Sequence, residues 1–303
     1  MTTLYWQVYK NLEREFLQVA DVVHVDDTQL GVYSMKIADL LTRTVVEIEA
    51  ISKELYLSNG GAVVPDDEMY FDTVCMKHLD ELWKLDKKVV LVVSPSIYIE
   101  DKSNRVLRPL HKASKRGTSS ASWNRAYQAV KHNRVKELSK GNISNLLQAL
   151  AALYVLNLYY KDTQLQNVSQ TEENNVDCSF GSELFAIKLH VPDGLTYDGT
   201  YRKTDGYDEC VYICEFEPES MSRSLEALRA LNDYTNTATQ SILETKINER
   251  LAQGLEVTDE WARSVRIEAM NDIYPIKDYR VLKLVNENLG AFKYDIVLNK
   301  QQH

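Results

Sequence analysis

The chain has 303 residues, a formal net charge of −9, 44% hydrophobic and 26% charged residues, an ordinary globular composition that excludes a collagen-like or wholly disordered chain. No run of about 18 apolar residues predicts a membrane-spanning helix, and the opening MTTLYWQVYKNLEREF lacks the basic and apolar regions of a secretory signal. Four cysteines (Cys75, Cys178, Cys210 and Cys214) are too few for a disulfide scaffold of this size, so the expectation is a soluble, cytoplasmic protein.

Leu4, Val8, Leu12 and Phe16 recur every four residues and predict a first helix over about 4–19. Ile37, Leu40, Leu41, Thr44, Val45, Ile48, Ile51 and Leu55 form one face of a long amphipathic helix over 34–57, stopped by Gly60-Gly61. A third helix is expected over about 65–85, with Asp66-Asp67-Glu68 in its first turn, where the helix dipole favours negative charge. The β-branched run VVLVVSPSIYI at 89–99 predicts a short strand or an extended buried connection around Pro95. Residues 102–121 read as a loop, containing Pro109, Gly117 and Thr118-Ser119-Ser120. A helix over 122–138 follows, with Ser122 as its N-cap.

After Gly141, residues 143–160 are apolar on most sides, as expected of the central member of a helical bundle. The polar run 161–180 reads as a linker or surface loop. Beyond it the pattern is mixed, with strands at 184–190 and 211–216 and helices at about 219–233, 235–253 and 258–271. A terminal strand pair is expected at 279–285 and 292–298, around Asn286-Glu287-Asn288-Leu289-Gly290. The predicted fold class is mainly α: an antiparallel helical bundle over residues 1–165, then a smaller α+β region over 166–303.

Charge is distributed unevenly. From 102 to 136 there are ten basic residues (Lys102, Arg105, Arg108, Lys112, Lys115, Arg116, Arg125, Lys131, Arg134 and Lys136) and no Asp or Glu. A basic segment in an otherwise acidic chain predicts a local anion site rather than a generally adhesive surface, with a solvated loop and helix face as the alternative. Within it, Ser-Trp-Asn-Arg-Ala-Tyr-Gln-Ala-Val-Lys-His-Asn-Arg at 122–134 places Arg125 and His132 seven residues apart. Seven helical steps return to nearly the same direction with a rise of ~10 Å. Gln128 and Ala129 lie between them, and Lys136 follows. The opposite stripe carries Trp123, Tyr127, Val130, Arg134 and Leu138.

Arginine binds phosphate through two nitrogens and stabilises charge developing on it. Histidine, as a residue type, exchanges protons near neutrality. Together they suit cleavage of RNA, whose 2′-hydroxyl supplies an internal nucleophile. The ~10 Å rise keeps one helix from closing both side chains on one phosphorus, whereas two copies across a symmetric dimer could interleave them.

At this point the chain resembles the HEPN superfamily (higher eukaryotes and prokaryotes nucleotide-binding domain), whose motif is Arg, four to six residues, then His, on a late helix of an antiparallel bundle. Arg125 and His132 enclose the six residues AYQAVK. The likeness extends to a group of uncharacterised bacterial HEPN-like proteins with a long early helix, here 33–56, a Trp-x-x-x-Tyr…Lys-His-x-Arg block at 123–134, and a following Leu/Ala-rich helix at 145–160. It covers roughly residues 1–165.

The resemblance implies a metal-independent endoribonuclease without a cofactor, commonly of toxin–antitoxin or phage-defence systems, with its site at a dimer interface. It puts Arg125 on the phosphate and His132 in acid–base or phosphate-stabilising work. Lys112, Lys115, Arg116, Gln128, Lys131, Asn133 and Lys136 are the candidate substrate-binding residues. The implied partners are RNA, a second copy of the chain and an inhibitor or antitoxin protein, with no membrane. Many active members have a polar residue directly after the arginine, where this chain has Ala126. Asn124 precedes Arg125 and Asn133 follows His132. The other reading is a non-catalytic HEPN-like module that dimerises or binds an anion or partner.

Each residue also has a structural alternative. His132 could sit in a network inside the bundle. Arg134 could pair with Glu47 or Glu49, or make a second phosphate contact. Trp123 and Tyr127 suit the core better than base stacking. Lys112, Lys115 and Arg116 are either a solvated loop or a guide for an RNA backbone, and His111 could assist there. Cys210 and Cys214 share a strand face without the further ligands of a zinc site. No Gly-rich phosphate loop, G-x-S-x-G or H-E-x-x-H occurs.

Overall fold

The computed structural model describes residues 4–65, 67–169, 176–192, 200–274, 276–288 and 293–303. Of the features expected from sequence, Asp66, Leu289, Gly290 and Phe292 lie outside the described residues.

The fold is mainly helical, with a smaller strand portion. Helix α1 (Leu4–Ala20) and helix α2 (Met35–Ser58) form where the apolar periodicity predicts them. Ser34 caps α2, its side chain accepting the Ile37 amide at 3.2 Å. A two-residue strand β1 (Val25–Asp26) lies between them. The expected third helix is shorter than its pattern. Residues 71–76 wind as one π-helical turn, Phe71–Met76, that runs into α3 (Lys77–Trp83). Asp67 and Glu68 therefore precede the helical segment instead of forming its first turn.

The 89–99 run divides into strands β2 (Val90–Val92) and β3 (Ile97–Tyr98), and the following loop includes a single turn α4 (Lys102–Arg105) and β4 (Val106–Leu107). Helix α5 (Ser122–Glu137) departs from expectation twice. Ala121, not Ser122, holds the cap position without a side-chain cap bond, and Asn133 leaves helical geometry (φ −149°, ψ 67°). Asn133 Oδ1 accepts the Lys136 amide at 3.4 Å, so the side chain starts the turn that follows the break.

Helix α6 (Ile143–Lys161) is buried on nearly every side and packs along α2. Among the described residues it alone is long and apolar enough to cross a membrane, and 78% of that apolar window is buried inside the fold. Gly141 lets the α5–α6 turn approach α2: a Cβ there would stand 2.5 Å from Ala38 Cβ.

The second half contributes β5 (Leu165–Ser169), β6 (Phe185–Ile187), β7 (Leu189–His190), β8 (Tyr212–Phe216) and β9 (Lys293–Leu298). Part of the expected 161–180 linker is thus strand. β6 joins β2 in an antiparallel sheet of order β4-β2-β6, so that sheet crosses the 165/166 boundary. The other main sheet has the order β5-β9-β8-β7. One hydrophobic core runs through both halves, from Phe16, Ile48 and Leu150 to Phe185, Tyr212 and Ile296.

Polar bonds cross the same boundary. Glu13 of α1, buried, accepts from Tyr9 Oη (2.9 Å), Ser182 Oγ (2.5 Å) and the amides of Glu183 (2.9 Å) and Leu184 (3.1 Å) through one carboxylate oxygen. Tyr159 Oη donates to the Asn299 carbonyl at 2.7 Å.

The remaining helices differ most from their sequence pattern. The two helices expected over 219–253 are one, α7 (Pro218–Ala252), because no Gly or Pro interrupts the run after Pro218. Helix α8 (Asp259–Asp272) follows. The expected strand at 279–285 is a helix, α9 (Tyr279–Asn288), started by Asp278, whose carboxylate accepts the Arg280 amide at 2.8 Å. Val281, Leu282, Leu284 and Val285 follow a helical spacing, and α9 packs on α7.

Candidate functional site

Three segments far apart in sequence meet beside the N-terminal end of α5 and enclose a cleft of about 730 Å³. Helix α2 supplies Glu49 and Lys53, residues 67–72 supply Asp67, Met69, Tyr70, Phe71 and Asp72, and the loop and first turns of α5 supply Arg116, Gly117, Thr118, Ser120, Asn124, Arg125 and Gln128. The π-helical turn matters here because Asp72 sits in it, buried, and faces Arg116. Arg116 Nε and Nη2 reach the two Asp72 oxygens at 3.0 and 2.6 Å, and its guanidinium lies 4.1 Å from the Tyr70 ring centroid. Gly117 follows at φ +64°, a left-handed conformation that suits glycine, and turns the loop toward α5.

Arg125 is exposed at the cleft edge, where Nη1 donates to the Thr118 carbonyl at 2.8 Å. Among the described residues it makes no ion pair, and neither does Lys53. Asn124 is 3% exposed. Its amide nitrogen donates to Ser120 Oγ at 2.9 Å, and its carbonyl oxygen has no hydrogen-bond partner among the described residues. Burial raises the Glu49 carboxyl above the usual range, with Lys131 and Lys53 opposing the rise and Asp72 adding to it. Burial likewise pushes the nearby Cys75 thiol up to about 11. Formal charges in the lining balance, since Lys53, Arg116 and Arg125 stand against Glu49, Asp67 and Asp72.

Of the residues expected from sequence, the cleft brings together Arg116, Arg125 and Gln128. His132 lies one helical turn beyond Gln128 on the same face, exposed and outside the lining, with no hydrogen bond or ion pair among the described residues. The alternative of a buried network for His132 is therefore overturned. So is the pairing of Arg134 with Glu47 or Glu49: Arg134 is exposed and makes no ion pair among the described residues, because the Asn133 break turns it away from the bundle. Lys131 stands 5.2 Å from the Tyr127 ring centroid and acts on Glu49 electrostatically. Lys112, Lys115, Lys136 and His111 are exposed and do not line the cleft. Trp123 and Tyr127 are core residues, and Trp123 Nε1 donates to the Pro109 carbonyl at 2.8 Å.

Sequence reasoning missed Glu49, Lys53, Tyr70, Asp72 and the buried role of Asn124. The one signal available was that Glu49 and Lys53 sit one turn apart on α2, between positions of its apolar stripe. The chain matches no family model, and comparisons with curated proteins and with solved structures likewise find no match.

Proposed function

We propose that the chain is a metal-independent endoribonuclease of HEPN type, acting in the cytoplasm as a homodimer in a toxin–antitoxin or phage-defence setting. The observation that carries this reading is the exposed face of α5. Arg125 and His132 both stand on it with no carboxylate partner among the described residues, and Lys131 and Lys136 beside them are exposed. In the proposed reaction Arg125 holds the non-bridging oxygens of a phosphodiester. His132 takes the proton of the ribose 2′-hydroxyl as its oxygen bonds to phosphorus, and a protonated histidine returns a proton to the departing 5′-oxygen. The products are a 2′,3′-cyclic phosphate and a 5′-hydroxyl. Since the two side chains rise ~10 Å apart on one helix, a second copy supplies the complementary pair across a two-fold axis.

The test is RNA cleavage in EDTA by the native chain, Arg125→Ala and His132→Ala. Cleavage by the native chain, lost in both variants and leaving 2′,3′-cyclic ends, supports the reading. Equal activity in the variants refutes the site. A second reading, a non-catalytic module that dimerises or binds an anion or partner protein, is favoured by the balanced charge of the cleft and by the engagement of Arg116 with Asp72. RNA that is retained uncut in a gel-shift assay would select it.

A further inference from the structure

The cleft has the properties of a ligand site in its own right. Its volume of about 730 Å³ falls in the range of small-molecule pockets. Its charge argues against a polyanion, because a backbone-tracking groove presents uncompensated cations, whereas here three carboxylates accompany three cations. With Arg116 and Asp72 bound to each other, Lys53 and Arg125 remain as cations, and the exposed Asp67 and Glu49, which the Tyr127 hydroxyl also engages, as carboxylates. Glu49 and Lys53 lie four residues apart on α2 yet form no ion pair. The buried Asn124 carbonyl oxygen lacks a donor among the described residues, which is costly for a polar atom out of water. Met69 and Phe71 add buried apolar surface. A ligand that answers all of these groups carries an anionic end, a cationic donor end and an apolar body.

We propose that this cleft binds an α-amino acid with an apolar side chain. Its carboxylate is held by Arg125 and Lys53, its ammonium group by Glu49 and Asn124, and its side chain by Met69 and Phe71. This goes beyond the ribonuclease reading and does not depend on it; since both assign Arg125, an amino acid in the cleft and an RNA phosphate on Arg125 exclude each other.

The test is calorimetric titration of the full chain with free L-leucine, L-methionine, L-phenylalanine and L-tryptophan, with the N-acetyl and amide derivatives of each, and with inorganic phosphate and adenosine monophosphate. At least one free amino acid is expected to bind with a dissociation constant of about 1 mM or tighter. Acetylation and amidation, which each remove one charge, are each expected to weaken it by about tenfold or more. Glu49→Gln and Lys53→Met should weaken it similarly without shifting the melting temperature by more than a few degrees. The ligand derivatives make the same comparison in the unaltered protein should a variant fail to fold. Absence of saturable binding by all four amino acids overturns the proposal. So does equal binding of the acetylated or amidated forms, or binding of phosphate or the nucleotide while the amino acids stay inert.

Discussion

Replacing Lys88 with methionine is expected to stabilise the protein. Lys88 has 0% exposure, and its Nζ donates to the Cys210 carbonyl at 2.9 Å. Burial pulls the amine from 10.5 down to about 8, against Asp208, Cys210 and Asp86, which favour the charged form. Below that value the fold holds an ammonium ion at a cost of about 3 kcal/mol. Methionine keeps the volume and removes the charge. It forfeits a hydrogen bond worth about 1 kcal/mol, but the Cys210 carbonyl keeps the Asn299 amide at 3.2 Å. The net gain at pH 7 is about 2 kcal/mol.

The sign with pH follows from proton counting. Between the folded value of about 8 and the unfolded 10.5, unfolding takes up a proton. The native chain therefore gains stability relative to the variant as pH rises through that window. Urea unfolding of both proteins from pH 7 to 9.5 measures the difference directly. A variant less stable at pH 7, or a difference that stays flat with pH, would refute the account of Lys88 as a buried charge.

The Arg116–Asp72 clamp should show in a double-mutant cycle. Arg116→Met and Asp72→Asn each destabilise in urea, and the double variant is less destabilised than their sum by about 1–2 kcal/mol, a coupling kept modest by the half-exposed guanidinium; additive effects would show that the two groups act separately. Gly141→Ala places a methyl 2.5 Å from Ala38 Cβ and should cost about 1–3 kcal/mol. Ala38→Gly in the same chain should restore little of it, because the Cα of residue 38 still stands 2.8 Å from the new methyl and a glycine inside α2 weakens the helix, and a melting curve unchanged by Gly141→Ala would mean that the turn relaxes freely. Glu13→Gln retains the shape of the α1 carboxylate but weakens its bonds to two amides and two hydroxyls. A loss of about 2–4 kcal/mol is expected in urea, and a neutral outcome would mark that network as dispensable.

Long apolar patterns were legible in the sequence: in α2 many positions repeat in phase and burial follows the phase, and in α6 apolar residues on most sides go with burial on nearly every side. Short elements were not. Val281, Leu282, Leu284 and Val285 form an apolar cluster that satisfies either period over so few residues, and the Asp278 cap and the packing on α7 decide for helix. The π-helical turn at Phe71–Met76 inserts one residue into a helical run and leaves no compositional mark. The site divides in the same way. The exposed face bearing Arg125 and His132 could be read because all its residues lie on one helix. The cleft could not, since Glu49, Lys53 and Asp72 become its neighbours only through tertiary packing.

The shared core has a consequence for how the protein is made. Helix α1 is fastened by residues 182–184, strand β2 needs β6, and Tyr159 needs the Asn299 carbonyl. During synthesis the segment bearing Arg125 and His132 leaves the ribosome long before the residues that complete the bundle beneath it. The helices can form early, but their packing must wait for pairings of long sequence separation, which are slow. Packing beneath the α5 face is thus tied to synthesis of residues as far along the chain as Asn299, and a chain lacking them presents an unfinished bundle.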